Sequence, residues 1–462
     1  MEKYVFYDLE TTGISPAFDQ PLQFAAIVTD LEFNEIERVD IRCQLLPHIL
    51  PAPQALAVTG VRPSQLQNNN LLSAFEFAQK IQEFTEKWAP AIWTGYNSIA
   101  FDEAMMRQMF YQNLQPNIFA TQFHNNTRLD VMKMVFAVHA EAPNILKWPI
   151  NAKGKVNFKL DQLAPENGFR AHNAHDALGD VEATIFIVDK IKKQCPDLYQ
   201  KLFDARDKER NLQLLKSFAP VEVTLRFGGS SPKTYTGCYC GLSKNSKNMV
   251  GFFDLEKPDP MELIHGTQQD VLDAMTKSPQ RIRSLRLNQA ETIRPASISN
   301  PEWRHTCDVI KDETAFQTVV SECLADKYPQ TEDTDSVVEE KIFDGFYSNH
   351  DKTLLEQFQT CSWQERLTLL NDAQDNRIQQ LGHRLIAFNA MHLLDPKYIA
   401  RAQEFIVEKW AASETEANWN TIASVQRQLL ELEEDGFDKI LLDEMKTFYQ
   451  DRIEAQGCSF DF

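Results

Sequence analysis

The 462-residue chain is expected to fold as an α/β domain, then a β-rich domain, then an all-α domain. Three observations predict that order. Over residues 1–196, aromatic and β-branched runs of strand length alternate with amphipathic runs of helix length. Over 197–348, Gly, Ser and Pro punctuate alternating stretches such as "VEVTLRF" and "IRSLRL", the pattern of a β-rich barrel or sheet with some helix added. From 349 to 462 apolar residues recur at helical spacing, as in "IARAQEFIVEKWAA" and "SVQRQLLELEE". A chain of this length exceeds one ordinary core, so two or three domains are the prior.

Taken in order, the first domain opens with a strand over 4–8, where Tyr4, Val5, Phe6 and Tyr7 are strand formers. Further strands are expected at 23–29, 36–45 and 91–95. Helices are expected at 71–88, 102–111 and 128–139, and from 174 towards 193. In the middle region "RFGGSSPKTYTGCYCG" reads as turns and strand, with Cys238 and Cys240 flanking Tyr239 in strand alternation. The acidic stretch 330–341 lies close to the second junction. Neither an internal repeat nor a low-complexity tail is evident.

Composition is that of a soluble globular protein, 43% hydrophobic, 24% charged and 10% aromatic. No apolar run approaches a membrane span, and the N-terminus enters a strand with no basic-then-apolar leader. A cytoplasmic protein is expected. Eight scattered cysteines contain no C-x-x-C pair, so reduced thiols are expected, with neither a zinc knuckle nor a disulfide framework. The net charge is −19, unevenly spread: 17 basic and 23 acidic residues over 1–200, 15 and 11 over 201–300, 15 and 32 over 301–462. An acidic total does not exclude a local basic track, because screening limits repulsion to about 10 Å at ordinary salt.

The chemistry concentrates in three stretches. In "YVFYDLETTGISP" (4–16) Asp8 and Glu10 end a hydrophobic strand and, being two apart, point to one side. Two like charges on one face mark either a solvated strand end or a bound cation. "WTGYNSIAFDEAMMRQMF" places Asp102 after a strand and loop, where an acid also serves as a plain helix cap. "AHNAHDALGDVEATIFIVDKI" places His175 and Asp180 five residues apart around a helix start; alone, His175 reads best as a capping or core histidine.

In this order (strand-D-x-E-T-T-G, then Y-N-x-x-F-D, then H-x-x-x-x-D opening a helix) the three stretches resemble the signature of the DEDD 3′–5′ exonucleases that carry a histidine in the third part. The likeness extends to the exonuclease I family through "FYDLETTGISPAFDQPLQFAAIVTD", "PQALAVTGVRP", "GYNSIAFDE", "HNNTRLDVMK", "NFKLDQLAPENG", "NAHDALGDVEAT", "LFDARDKERNLQLL", "FDGFYSNHDK" and "EFIVEKW", spanning nearly the whole chain. It implies a ribonuclease-H-like exonuclease domain (1–196), a β-rich domain of the Src-homology-three (SH3) type (197–348) and a helical C-terminal domain (349–462).

Carried over by position, the resemblance makes Asp8, Glu10, Asp102 and Asp180 the metal carboxylates and His175 the general base. Four converging carboxylates in a partly buried site need cations to offset them. Two Mg²⁺ ions about 4 Å apart, with Mn²⁺ as a substitute, would do so and would flank an in-line phosphoryl displacement. Glu10, Lys159, Arg107 and Lys208 are the expected substrate contacts, Lys159 standing where the family tends to keep a basic residue near the nucleotide. The expected function is Mg²⁺-dependent 3′→5′ degradation of single-stranded DNA to 5′-mononucleotides in DNA repair or recombination. The alternatives are an exoribonuclease of the same superfamily and a non-catalytic single-strand-binding scaffold. The family also implies docking of the acidic C-terminal tail of single-stranded-DNA-binding protein; because 201–300 is the net-positive stretch, Arg281, Arg283, Arg286 and Arg294, aided by Lys233, are the expected receiving patch. A monomer is expected. Asp176, Glu182, His124, His172 and Asp130 are set aside as structural or solvated residues, Asp130 as the brace of a helix start.

Overall fold

A computed structural model describes residues 2–170, 176–257, 260–289, 291–327 and 336–460. The first region is built on a five-stranded sheet in the order β3-β2-β1-β4-β5. β1 (Tyr4–Thr11) lies at its centre, antiparallel to β2 (Pro21–Thr29) and parallel to β4 (Ile92–Gly95); β3 (Glu35–Arg42) and β5 (Thr127–Asp130) form the edges. Strand alternation sends β1 side chains to two cores. Tyr4 and Phe6 pack with Val181, Ile187 and Val188 of the Ala177–Gln194 helix. Val5, Tyr7 and Leu9 pack on the other face with Phe77 of the Ala74–Lys87 helix and Met105 of the Asp102–Gln112 helix.

Most expected elements are present with shifted ends. The helix expected at 128–139 is the exception at its start: residues 127–130 are the edge strand β5, and the helix runs Val131–Glu141. Four residues are too few for a period-2 pattern to register. Asp130 caps this helix, accepting a hydrogen bond from the Met132 amide (3.0 Å), the bracing role expected of it.

The second region holds an antiparallel sheet in the order β10-β6-β7-β8-β9: β6 (Val221–Leu225), β7 (Lys233–Leu242), β8 (Met249–Asp254), β9 (Ile282–Arg286) and β10 (Arg294–Pro295). Cys238 and Cys240 are buried on β7. The first core continues past residue 196, since Leu198, Tyr199 and Leu202 belong to it. The Val131–Glu141 helix docks the two regions. Its Lys133 donates to the Gln289 carbonyl (2.5 Å), and its Glu141 pairs with Arg294 and accepts from the Thr234 hydroxyl (2.7 Å).

The C-terminal region is all helical from Asn349 to Glu454. Its core is shared: Leu22, Leu45, Ile49, Leu50, Leu56, Val61 and Leu66 pack with Trp410, Leu429, Met445, Phe448 and Tyr449. Among the described residues no helix is long and apolar enough to cross a membrane.

Candidate active site

The even-numbered face of β1 carries the site. After Tyr4 and Phe6 have filled the core, Asp8 and Glu10 continue on the same face, toward the first turn of the Ala177–Gln194 helix, where Asp180 sits. Ligand oxygens of Asp8, Glu10 and Asp180 lie within 4.8 Å of one another. An acid in a first helical turn is favoured by the helix dipole.

Asp102 arrives from the neighbouring strand. β4 pairs with β1 only from Tyr4 to Phe6, and beyond that its chain turns away at Gly95. A Cβ at Gly95 would stand 2.5 Å from the Tyr7 carbonyl oxygen, so glycine lets the strands approach before the turn. The loop that follows is held by Asp130, which accepts from the amides of Asn97 (3.1 Å) and Ile99 (3.4 Å). It delivers Asp102 to the uncovered edge of β1, where its carboxylate accepts the Leu9 amide hydrogen bond (3.1 Å). Leu9 lies between Asp8 and Glu10, so Asp102 is tied to the backbone that presents them.

Burial and mutual repulsion raise these carboxyls together. Burial first, then Asp102, Glu10 and Asp180, hold Asp8 well above the carboxylate range. Burial, Asp180 and Asp102 push Glu10 to about 9. Asp102 is pushed to about 8, burial outweighing the amide bonds that pull it down. Such a donor set, all oxygen and all acidic, fits a hard divalent cation.

His175, with His172, lies outside the described residues. Lys159 is exposed beside the site's loop, since the Tyr96 hydroxyl donates to the carbonyl of adjacent Phe158. Lys208 is exposed at the start of the Lys208–Lys216 helix, whose Leu215 packs in the second core. Arg107 is bound to Glu103 (3.0 Å) with its guanidinium 4.9 Å from the Phe119 ring centroid. Glu182 pairs with Arg38 (2.5 Å), away from the cluster.

The expected arginine patch is not one surface. The Arg294 side chain is 1% exposed, bound to Glu141 and to the Thr292 carbonyl. Arg283 is also buried, 3.3 Å from an Asp254 oxygen and 3.9 Å from the Tyr235 ring centroid. Both are internal ties that cannot meet a peptide. Arg281 is paired with Glu262 (2.6 Å) and Lys233 with Glu256 (3.0 Å). Arg286 is the member of the four that stands exposed.

Glu103 escaped the sequence reading, and Asp176 was set aside in it. Glu103, buried beside Asp102, gathers Arg128 (2.5 Å), Arg107 and Gln122 (2.9 Å); the Glu103–Arg107 spacing of four was the readable signal. Asp176 is braced by Gln23 and Arg42, each at 3.0 Å. Gln23 pairs across the strands with Glu10, which places this brace beside the cluster.

A central strand ending in two acids, joined by a third in the first turn of one helix and a fourth at the start of another, defines a hydrolytic nuclease site of the exonuclease class. Residues 5–188 match the exonuclease family model, and residues 336–452 match the exonuclease I C-terminal domain. The chain belongs to the exonuclease I family. The exodeoxyribonuclease I of Haemophilus influenzae is 28% identical over 98% of this chain and 99% of that protein. The crystal structure of Escherichia coli exonuclease I in complex with a dA16 oligonucleotide is 25% identical, with a TM-score of 0.82 over 98% of this chain and 100% of that one. A crystal structure of SSB/exonuclease I with the inhibitor CFAM shares the fold at 24% identity and a TM-score of 0.81, covering 98% of this chain and 99% of that one. The molecule is a DNA exonuclease.

Proposed function

We propose that this exonuclease acts on single-stranded DNA from the 3′ end, with Mg²⁺, and releases 5′-mononucleotides. The observation that carries the reading is the convergence of Asp8, Glu10 and Asp180 within 4.8 Å, with Asp102 fastened to the Leu9 amide between them. Asp8, Glu10, Asp102 and Asp180 would hold two divalent ions. When bound, the ions neutralise the cluster and offset charge developing on the transferred phosphoryl group. The Leu9 amide keeps the Asp102 carboxylate in register with β1. Asp176, braced by Gln23 and Arg42, positions the start of the helix that bears Asp180. His175 takes the proton of the attacking water, and Lys159, beside the Asp102 loop, meets the strand's phosphates; Arg107 and Lys208 are proposed as further phosphate contacts.

Single-stranded-DNA-binding protein is the proposed partner, through its acidic tail, on the likeness to exonuclease I. The same likeness underlies a monomeric, cytoplasmic repair enzyme and the division into domains 1–196, 197–348 and 349–462. The test is digestion of a 3′-labelled and a 5′-labelled single strand, with Mg²⁺ and with chelator. Label at the 3′ end should appear at once as mononucleotide, while 5′ label stays in a shrinking ladder. Prompt release of 5′ label, or full activity in chelator, would overturn the reading; matched RNA should be left intact.

A further inference from the structure

A cavity lies where the loop after β1 meets the C-terminal helices. The recess has a volume of about 600 Å³, within the roughly 300–1,000 Å³ range of small-molecule sites. Phe18, Tyr398, Phe405 and Trp419 supply aromatic walls. Lys409 stands among them, its Nζ 5.4 Å, 5.8 Å and 5.5 Å from the ring centroids of Phe18, Phe405 and Trp419.

Lys409 is 6% exposed, and among the described residues its ammonium has no hydrogen-bond acceptor and no carboxylate at ion-pair distance. Glu339, on the facing segment, is engaged by Arg384 at 2.5 Å. Burial pushes the Lys409 ammonium down to about 8, as for a cation that has left water without finding an acceptor. The recess carries Lys341, Arg384, Arg401 and Lys409 against Glu339 and Glu408, so it is net positive. It lies in the most acidic part of the chain, 15 basic against 32 acidic residues over 301–462. A positive, aromatic recess in an acidic surround is matched by an anion with a flat apolar body.

We propose that this recess binds a nucleotide, its base against the aromatic walls and its phosphate on Lys409. Every base offers a π face that aromatic rings accept without regard to sequence, and a phosphate gives the buried ammonium its missing partner. The choice of nucleotide over other aromatic anions rests on the nuclease reading; the same chemistry comes from a released mononucleotide or from one unit of the bound strand. The occupant would touch Phe18, next to Asp19, whose carboxylate accepts from the Thr12 hydroxyl (2.9 Å) and the Ser15 amide (2.9 Å). The recess is thereby linked to the loop two residues beyond Glu10.

Calorimetric titration of the full chain in chelator, which keeps metal-held nucleotide out of the carboxylate cluster, tests this. The probes are dAMP, deoxyadenosine, inorganic phosphate and a 3′-blocked single strand; the proteins are wild type, Lys409→Met and Tyr398→Ala. Tyr398 is 47% exposed, so its variant folds even where Lys409→Met fails, and melting curves check both. Expected is dAMP binding, tighter than deoxyadenosine or phosphate and weakened at least tenfold in Lys409→Met. Weakened strand binding without dAMP binding assigns the recess to a unit of the strand. Equal affinities of wild type and both variants for dAMP and for the strand overturn the proposal, as does the absence of any binding. Hydrolysis measured in parallel separates the failures: an active enzyme with an empty recess sinks this inference alone, and nucleotide binding by an inactive chain sinks the nuclease reading alone.

Discussion

Stripped of divalent cations, the protein should lose stability steadily as the pH rises from 5 to 9. The cause is the carboxylate cluster at the end of β1. Glu10 is raised from 4.5 to about 9 and Asp102 from 3.8 to about 8, so between those limits the folded state holds protons that the unfolded chain has lost. Stability is then greatest at the acid end of the window and falls as the pH climbs through it. One such carboxyl contributes about 1.4 kcal/mol per pH unit, or roughly 3–6 °C in melting temperature for a domain of 150–250 residues. Because these groups repel one another, the figure for one is used and not the sum. Saturating Mg²⁺ should remove the slope and add about 2.7 kcal/mol at a hundredfold excess over Kd. Asp8→Asn should flatten the slope in chelator by removing one of the repelling charges. The assay is a melting series at pH 5, 6, 7, 8 and 9, with chelator and with Mg²⁺. A chelated protein whose melting point is flat across the window and untouched by Mg²⁺ would refute the argument.

Three further outcomes are expected. Asp8→Asn should retain the fold by circular dichroism yet lose turnover by several orders of magnitude, since a metal contributes several kcal/mol to such a transition state; near-wild-type hydrolysis would sink the two-ion reading. His175→Ala should lower kcat by about 10²–10⁴-fold with DNA affinity little changed and partial recovery at high pH, and an unaltered rate at neutral pH would make it a structural histidine. Glu141→Gln leaves the buried Arg294 without its closest carboxylate and should cost about 3–5 kcal/mol in urea unfolding; a loss under 1 kcal/mol would mean that Glu222, 3.8 Å from Arg294, suffices.

That Asp8 and Glu10 share a face was legible from strand alternation; the place of Asp180 beside them came from the resemblance, not from any local period. What Asp102 does there was not legible, because its partner is the Leu9 amide, 93 residues earlier, and that bond exists only once β4 has turned away. The arginines of the middle region misled for a similar reason. Composition counts a charge without locating its partner, and Arg294 finds Glu141 across 153 residues. Buried arginines and exposed ones look alike in sequence until the carboxylates that hold them are placed. Strand β5 was missed because four residues next to a strong helix pattern leave no period of their own.

The core that joins residues 22–66 to residues 406–460 sets an order of events during synthesis. At about 5–20 residues per second, the ribosome needs on the order of 20–70 s to make the chain between those two halves. Throughout that interval Leu45, Ile49, Leu56 and Leu66 lack their final cover. The nascent chain therefore presents an apolar flank beside an otherwise complete sheet, a surface for a holding chaperone. The segment that follows β3 closes only when the last helices emerge, so a chain stopped short of its end would leave the nuclease region with an uncovered side.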